Sequence, residues 1–191
     1  MSGWTAIVPM KAAGKRKTRL AEHLCAIGRE ELSEILFSHV VRTLHDCSQI
    51  ARIVILSEGP PLMSRTDWVA DNGAGLNAEL ERVRAGIGEG PLLIIHADLP
   101  LLKTADLDAL LAAAEGAIAI APDSHGTGTN ALALGTNHDL KLCFGRDSFA
   151  RHQAQVPDAI IITDRPGLAL DVDTADDLDK AISLGFVSPT K

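Results

Sequence analysis

Aromatic side chains are scarce in this sequence, which has four phenylalanines, two tryptophans and no tyrosine among 191 residues. Positive charge is also scarce, because 25 acidic residues outnumber 18 lysines and arginines and leave a formal net charge of −7. A general nucleic-acid binder needs a basic surface, and binders of single strands add stacking rings. The composition therefore argues against nucleic-acid polymers as partners.

Cysteines are few, and long hydrophobic runs are missing. The three cysteines, Cys25, Cys47 and Cys143, lie far apart and form no pair with zinc-type spacing. No apolar stretch approaches the roughly 18 residues of a membrane helix, and the first residues lack the pattern of a secretory signal. We expect buried thiols, no membrane partner and a cytoplasmic protein.

The hydrophobic content of 46% is sufficient for a substantial core, so we expect a single domain over residues 1–191. Apolar runs predict strands at 4–9, 51–56, 68–70, 92–96, 117–121, 130–134 and 159–163. Helical periodicity predicts helices at 29–44, 77–85, 104–115, 147–155 and 174–184, with Thr104 and Thr174 as N-caps. Several strands are apolar on both faces, which predicts an α/β sandwich of three layers with a mainly parallel central sheet.

The positive charge is concentrated after the first predicted strand. Lys11, Lys15, Arg16, Lys17 and Arg19 place five of the eighteen cations within nine residues. Charge alone allows two interpretations, a solvated basic loop or a polyphosphate site. Because ligands of such sheets bind beyond the carboxyl ends of the strands, the position of the segment favours the polyphosphate.

Carboxylates follow two later apolar runs. Asp98 comes directly after the run 92–96, and Asp171 and Asp173 end the run 168–173. In an extended segment, residues two apart face the same side, so both of these carboxylates could reach one metal ion. A lone aspartate at a strand end is often structural, and Asp173 could be a turn residue before Thr174. Three such carboxylates together match the oxygen ligands of Mg²⁺, and we predict a magnesium site.

Three glycine-containing segments, 71–77, 125–130 and 144–148, offer backbone amides and hydroxyls. Gly73 and Gly75 would allow the backbone to approach a flat or ribose-like group. The last segment precedes a predicted helix, whose N-terminus could bind an anion. Such turns are common, so their spacing alone does not decide their role.

Taken in order, these segments resemble the guanylyltransferases of coenzyme F420 biosynthesis, the CofC/FbiD family. The matching stretches are 8–11, 17–20, 75–77, 98–100, 126–130, 144–148 and 171–173. The resemblance implies a nucleotidyltransferase-like (Rossmann-like) fold. It also implies transfer of GMP from GTP to a small three-carbon phospho-acid, with release of pyrophosphate. The acid would be phosphoenolpyruvate, 2-phospho-L-lactate or 3-phospho-D-glycerate, and the oligomeric state, including a homo-oligomer, stays open.

The resemblance also implies roles for individual residues. Asp98, Asp171 and Asp173 would hold Mg²⁺, and Asp98 would be catalytic together with the triphosphate-contacting Lys11, Lys17 and Arg19. Thr129, Gly145 and Ser148 would bind the phospho-acid, while Gly73, Gly75 and Asn77 would lie near guanosine. The segment 12–16 is more basic than this family leads one to expect.

Two other functions stay open at this point. A molybdenum-cofactor or sugar-phosphate nucleotidyltransferase would resemble the pattern G-G-x-S-x-R-M-G in its first loop, and this chain lacks that pattern. A non-catalytic nucleotide-binding regulator would have no physical reason to keep carboxylates at buried strand ends, where desolvation is costly. The guanylyltransferase interpretation needs no catalytic histidine or cysteine, because the acceptor phosphate is already an anionic nucleophile.

Overall fold

A computed structural model of the protein describes residues 3–10, 17–135 and 140–187. The strands are β1 (Trp4–Pro9), β2 (Ile50–Ser57), β3 (Asp67–Ala70), β4 (Leu92–Ile95), β5 (Ile118–Pro122), β6 (Thr129–Leu134) and β7 (Ile160–Ile161). They form one sheet in the order β3-β2-β1-β4-β6-β5-β7. Neighbouring strands are parallel, except that β6 is antiparallel to β4 and β5. The predicted α/β class with a mainly parallel sheet is confirmed.

The helices are α1 (Ala26–Asp46), α2 (Leu76–Ile87), α3 (Thr104–Ala113), α4 (Ser148–Gln155), α5 (Pro166–Ala169) and α6 (Ala175–Ser183), and Thr18–Leu20 form a 3-10 turn. The predicted helices are all present, and α1 is longer than predicted at both ends. The short helix α5 was not predicted; it begins with a proline at its first turn, a position that suits proline. None of the described helices is both long enough and apolar enough to cross a membrane.

Helix caps agree with the sequence at one of the two predicted positions. Thr174 forms a capping box before α6, because its hydroxyl accepts from the Asp177 amide and Asp177 accepts from the Thr174 amide. The prediction of Thr104 as the N-cap of α3 was wrong. Lys103 occupies the N-cap position, and the carboxylate of Asp106 accepts its backbone N–H at 3.0 Å.

Helices cover both faces of the sheet because alternate side chains of each strand point to opposite sides. Ala6 and Val8 of β1 belong to the hydrophobic cluster that includes Phe37 of α1 and residues of α3. Ile7, between them, belongs to the cluster on the other face, with Leu80 of α2. The result is the predicted three-layer sandwich.

The turn between β5 and β6 lies at the carboxyl edge of the sheet and reverses the direction of the chain. Its organising residue is Asp123, whose carboxylate accepts the backbone N–H groups of His125, Thr127 and Gly128. Burial works to raise the pKa of Asp123, but the hydrogen bonds from Thr127 and Gly128 outweigh it and the pKa is lowered. Because β6 runs antiparallel to β4 and β5, it starts at the edge where those two strands end, and Thr129 is therefore placed there.

Candidate active site

Backbone pairing brings the three predicted carboxylates together. Asp98 follows β4, and its carbonyl accepts the N–H of Val172 at 3.1 Å. That bond joins the end of β4 to the segment in which Asp171 and Asp173 flank Val172. One carboxylate oxygen from each of the three aspartates lies within 4.8 Å of the other two. The predicted acidic cluster therefore exists as a single site.

Two of the predicted cations face this cluster. The Lys17 ammonium lies 2.6 Å from Asp98 Oδ2 and 3.5 Å from Asp173 Oδ1, with only 7% of its side chain exposed. Lys17 adopts a left-handed backbone conformation with φ of 51°, which is uncommon for a residue with a side chain. Arg19 is mostly exposed, and its guanidinium lies 3.8 Å from Asp173 Oδ2. Lys11 lies outside the described residues, as do Lys15 and Arg16.

The local electrostatics favour a cation beside Asp171. Burial raises the pKa of Asp171 to about 6, and the charges of Asp98 and Asp173 add to this effect. Burial lowers the pKa of Lys17, but the charges of Asp98 and Asp173 outweigh it and the pKa is raised above its ordinary value. Lys17 therefore keeps its positive charge and lies among carboxylates, of which Asp171 is costly to ionise.

The cluster matches the ligand preferences of Mg²⁺. Carboxylate oxygens are hard donors, and Mg²⁺ binds through one or two carboxylates plus substrate phosphates. The unfavourable charge on Asp171 is the kind of strain that a bound divalent cation relieves. Because the Lys17 ammonium lies against Asp98 and Asp173, a metal ion bound by all three carboxylates would share their oxygens with it.

Asn130, at the start of β6, connects the sheet to the acidic segment. Its side-chain amide donates to the carbonyls of Leu168 and Ala169, both at 3.0 Å, and to Asp171 Oδ1 at 3.3 Å. The residue is 1% exposed, so these bonds form away from competing water. Asn130 therefore holds the segment that carries Asp171 against β6.

Next to Asn130, two of the residues predicted to bind the acid contact each other. The Ser148 hydroxyl donates to Thr129 Oγ1 at 3.2 Å, and both residues are 1% exposed. Thr129 also contacts Nδ1 of the buried His152 at 3.0 Å. Gly145 is exposed, has φ of 111°, and accepts the Ser148 N–H at its carbonyl. The three predicted residues thus lie in one small region at the start of α4.

The loop predicted to lie near guanosine is connected to this region through Asn77. The Asn77 side chain accepts from the N–H of Phe144 at 2.7 Å and donates to its carbonyl at 3.0 Å. Gly73 and Gly75 are exposed with φ of 80° and 97°, and nothing lies within 4 Å of a Cβ placed on either. Glu79 is buried and accepts backbone N–H groups of the loop. The two glycines therefore leave open space for a ligand, while the Asn77 amide is engaged with Phe144.

Comparison with known proteins shows the family to which the chain belongs. Residues 4–187 match the family model described as "Guanylyl transferase CofC like". The chain belongs to this CofC-like guanylyl transferase family. A protein of Sphaerobacter thermophilus is 37% identical over 92% of this chain and 90% of its own length. One of Conexibacter woesei is 36% identical over 91% of this chain and 85% of its own length. Both are named phosphoenolpyruvate guanylyltransferase.

Solved structures show that this guanylyltransferase has a nucleotidyltransferase-like fold. A nucleotidyl transferase from Methanothermobacter superposes with a TM-score of 0.70 over 97% of this chain and all of that chain, at 15% identity. The 4-diphosphocytidyl-2C-methyl-D-erythritol synthase of Anaerococcus prevotii superposes with a TM-score of 0.60 over 96% of each chain, at 8% identity. At these identities the likeness concerns the fold alone.

The sequence contained signals for two residues of the candidate site, Asn130 and His152, that received no role from sequence alone. Asn130 begins the predicted strand 130–134, which is otherwise apolar, and a buried amide in such a place needs specific partners. His152 follows Ser148 by four positions, which places both on the same face of the predicted helix. Both signals were local, but the partners of these side chains lie up to 41 residues away.

Proposed function

We propose that this guanylyltransferase transfers GMP from GTP to phosphoenolpyruvate in coenzyme F420 biosynthesis, releasing pyrophosphate. The observation that carries the proposal is the cluster of Asp98, Asp171 and Asp173 facing Lys17 and Arg19 at the carboxyl edge of the sheet. The names of the similar proteins support phosphoenolpyruvate as the acceptor rather than 2-phospho-L-lactate or 3-phospho-D-glycerate.

The chemistry requires positioning and charge neutralisation. An oxygen of the acceptor phosphate attacks the α-phosphorus of GTP, the bond from that phosphorus to the β-bridging oxygen breaks, and pyrophosphate leaves with the electron pair. No side chain has to remove a proton, since the attacking phosphate is already ionised. Lys17 and Arg19 would stabilise the negative charge that accumulates on the departing pyrophosphate, and Lys11 is proposed to join them.

Magnesium is part of the proposal, with Asp98, Asp171 and Asp173 as the residues that would hold it. The ion would neutralise phosphate charge and orient the triphosphate for in-line displacement. Within the protein, Asn130 keeps Asp171 at the cluster, and the bond from Val172 to Asp98 fixes the spacing of the two acidic segments.

Two neighbouring regions would hold the two substrates. We assign the phospho-acid to Thr129, Gly145 and Ser148, where hydroxyls and the start of α4 supply hydrogen-bond donors for an anion. We assign guanosine to the side of Gly73 and Gly75, with Asn77 holding that loop against Phe144. Asn130 is adjacent to Thr129 and contacts Asp171, so the proposed acid site borders the acidic cluster.

Asp98→Asn tests the proposal, because it removes one charge from the cluster with almost no change in side-chain size. We expect kcat/KM for pyrophosphate release from GTP and phosphoenolpyruvate to fall about a hundredfold or more. Asp179→Asn is the matched control, since Asp179 is exposed on α6 and its substitution makes the same change in net charge. The kcat/KM of this control variant should stay within about twofold of the parent value, because substitutions at exposed positions usually have small effects.

The same assay should include CTP, UTP and ATP as well as the other two acids. Activity of the parent protein with GTP and phosphoenolpyruvate, combined with loss of activity in Asp98→Asn alone, supports the proposal. Near-normal turnover by Asp98→Asn would refute the assignment of the acidic cluster. Binding of GTP without product formation from any acid would instead support the non-catalytic regulator.

A further inference from the structure

A buried histidine lies behind the hydroxyls of Thr129 and Ser148, and no step of the proposed reaction uses it. His152, on α4, is 0% exposed. Its Nδ1 lies 3.0 Å from Thr129 Oγ1, and its Nε2 accepts the backbone N–H of Cys143 at 3.1 Å. Ser148 Oγ donates to the same Thr129 oxygen at 3.2 Å. The four residues form a continuous hydrogen-bonded chain beneath the proposed acid site.

The contact with Cys143 decides which ring nitrogen carries the proton. A backbone amide can only donate, so Nε2 must offer its lone pair, and a neutral ring then carries its hydrogen on Nδ1. Burial, together with the charge of Arg151, lowers the pKa of His152 to about 4, so the ring is neutral near pH 7. The Nδ1–H group of His152 therefore donates to Thr129.

This tautomer determines what the two hydroxyls can offer to a ligand. Thr129 and Ser148 have one hydroxyl hydrogen each, and the Ser148 hydrogen is used in the contact between them. Because the ring donates, it does not consume the Thr129 hydrogen, which has no other acceptor among the residues that the structure describes. With the opposite tautomer, Thr129 would donate to Nδ1 and the pair would present only lone pairs, which repel an anion.

We infer that His152 is a positioning residue that makes the Thr129–Ser148 pair a hydrogen-bond donor to an anionic oxygen of the acid substrate. The inference rests on the proposed function, which assigns the phospho-acid to this region. His152 touches no substrate atom and acts through Thr129. Thr129 and Ser148 are buried, so the donated hydrogen bond forms with little competition from water. A hydrogen bond in such a place is stronger than one exposed to water.

The test has to separate this role from simple support of the fold. The His152 ring also packs edge-on against Phe144 at 5.0 Å between centroids, so truncation to alanine would disturb the neighbouring chain for unrelated reasons. Two amide substitutions divide the functions of the ring. His152→Asn can place an N–H where Nδ1–H lies, and His152→Gln can place an oxygen where Nε2 lies.

Steady-state kinetics of the full-length protein with GTP and phosphoenolpyruvate would compare the two variants, alongside their urea unfolding midpoints. We expect His152→Gln to raise the KM for phosphoenolpyruvate about tenfold or more, the loss expected for one hydrogen bond to a charged group. The KM for GTP should change less than about twofold, since the guanosine contacts are elsewhere. His152→Asn should keep the KM for phosphoenolpyruvate within about threefold, because it retains the donor to Thr129.

The inference would be overturned if His152→Gln had the same KM for phosphoenolpyruvate as the parent protein. It would also be overturned if the KM for phosphoenolpyruvate rose equally in both variants and the rise followed the decrease in their urea unfolding midpoints. Long-range ¹H–¹⁵N NMR of histidine-labelled parent protein gives a readout that does not depend on turnover, with His152→Gln used for assignment. Protonated Nδ1 and bare Nε2 near pH 7 support the inference, and protonated Nε2 refutes it.

The proposed function can fail separately. If the parent protein releases no pyrophosphate from GTP with any of the three acids, the proposed function is refuted, and the role of His152 in acid binding is refuted with it. If the parent protein is active and only the His152 variants behave unexpectedly, the inference alone is refuted.

Discussion

Asp171 illustrates, at the scale of one residue, how the proposed function conflicts with stability. Its carboxylate is buried beside two other aspartates, which raises its pKa to about 6 from the ordinary value of 3.8. A carboxyl group with a raised native pKa binds its proton more tightly in the folded chain than in the unfolded one. Its contribution to stability is therefore fully present below about pH 4 and is lost as the pH rises through about 6.

The substitution Asp171→Asn tests this conflict. In the absence of divalent metal near pH 7.5, we expect the variant to unfold at a Tm about 2–4 °C above that of the parent protein, because it removes a charge that is costly to bury. The difference should shrink as the pH falls towards about 4, where the parent carboxyl is protonated. Pyrophosphate release should fall about a hundredfold or more. A variant that is less stable than the parent at both pH values would contradict the electrostatic interpretation.

Lys17 shows a related feature of the site. Its ammonium is nearly buried, yet its pKa is raised, since the surrounding carboxylates outweigh the effect of burial. The sequence indicated both the cations and the carboxylates, but it could not indicate which cation enters the cluster. In the structure that cation is Lys17, whose backbone is left-handed with φ of 51°. Local composition does not specify such a turn in a residue other than glycine.

At the scale of elements, the short helix α5 sets the position of the acidic segment. Gly167 lies in α5 beside Asp106 of α3, and a Cβ at this position would overlap with Asp106 Oδ2 and lie 2.7 Å from the Leu101 carbonyl oxygen. Asp106 has little room to move, because it is buried and accepts the backbone N–H of Lys103, and the Leu101 oxygen belongs to the backbone. The absence of a side chain at Gly167 thus allows α5 to approach α3 closely enough to bring Asp171 to the site.

Gly167→Ala should therefore reduce both stability and activity. Overpacking of this kind costs about 1–3 kcal/mol in the free energy of unfolding, which urea denaturation would measure. We also expect slower pyrophosphate release, because a shift of α5 moves Asp171 relative to Asp98. Gly86→Ala is the control: Gly86 lies within α2 with nothing within 4 Å of a Cβ, so the change should be neutral or slightly stabilising. Equal stability of the two variants would contradict the close-approach argument.

Much of the fold follows from local patterns. The apolar runs of β1 and β4, the periodicity of α1 and the capping box at Thr174 each express short-range physics, and each was predictable. The contacts that complete the site are different, because they join distant parts of the chain. Asn130 reaches Leu168 and Asp171, and no periodicity in either segment indicates the pairing. The short α5 was missed for a similar reason, since it packs against the distant strands β5 and β6.

At the scale of the whole molecule, the net charge of −7 says little about the ligand. What matters for the proposed substrate is the local arrangement, in which two cations of the basic segment lie against three carboxylates at one edge of the sheet. An acidic protein disfavours a polyanionic polymer over its surface at large, but a single triphosphate needs only one favourable site. The comparisons agree with this distinction, as the family is one of guanylyl transferases.

The most direct test of the proposed reaction is mass spectrometry of the products formed from GTP, Mg²⁺ and the three phospho-acids in equimolar competition. We predict a product in which GMP is joined through a new diphosphate linkage to phosphoenolpyruvate, together with an equal amount of pyrophosphate. The conjugate should disappear when Asp98→Asn replaces the parent protein and persist with Asp179→Asn. A conjugate formed mainly with another acid would contradict the assigned acceptor, and the absence of any conjugate would contradict guanylyl transfer itself.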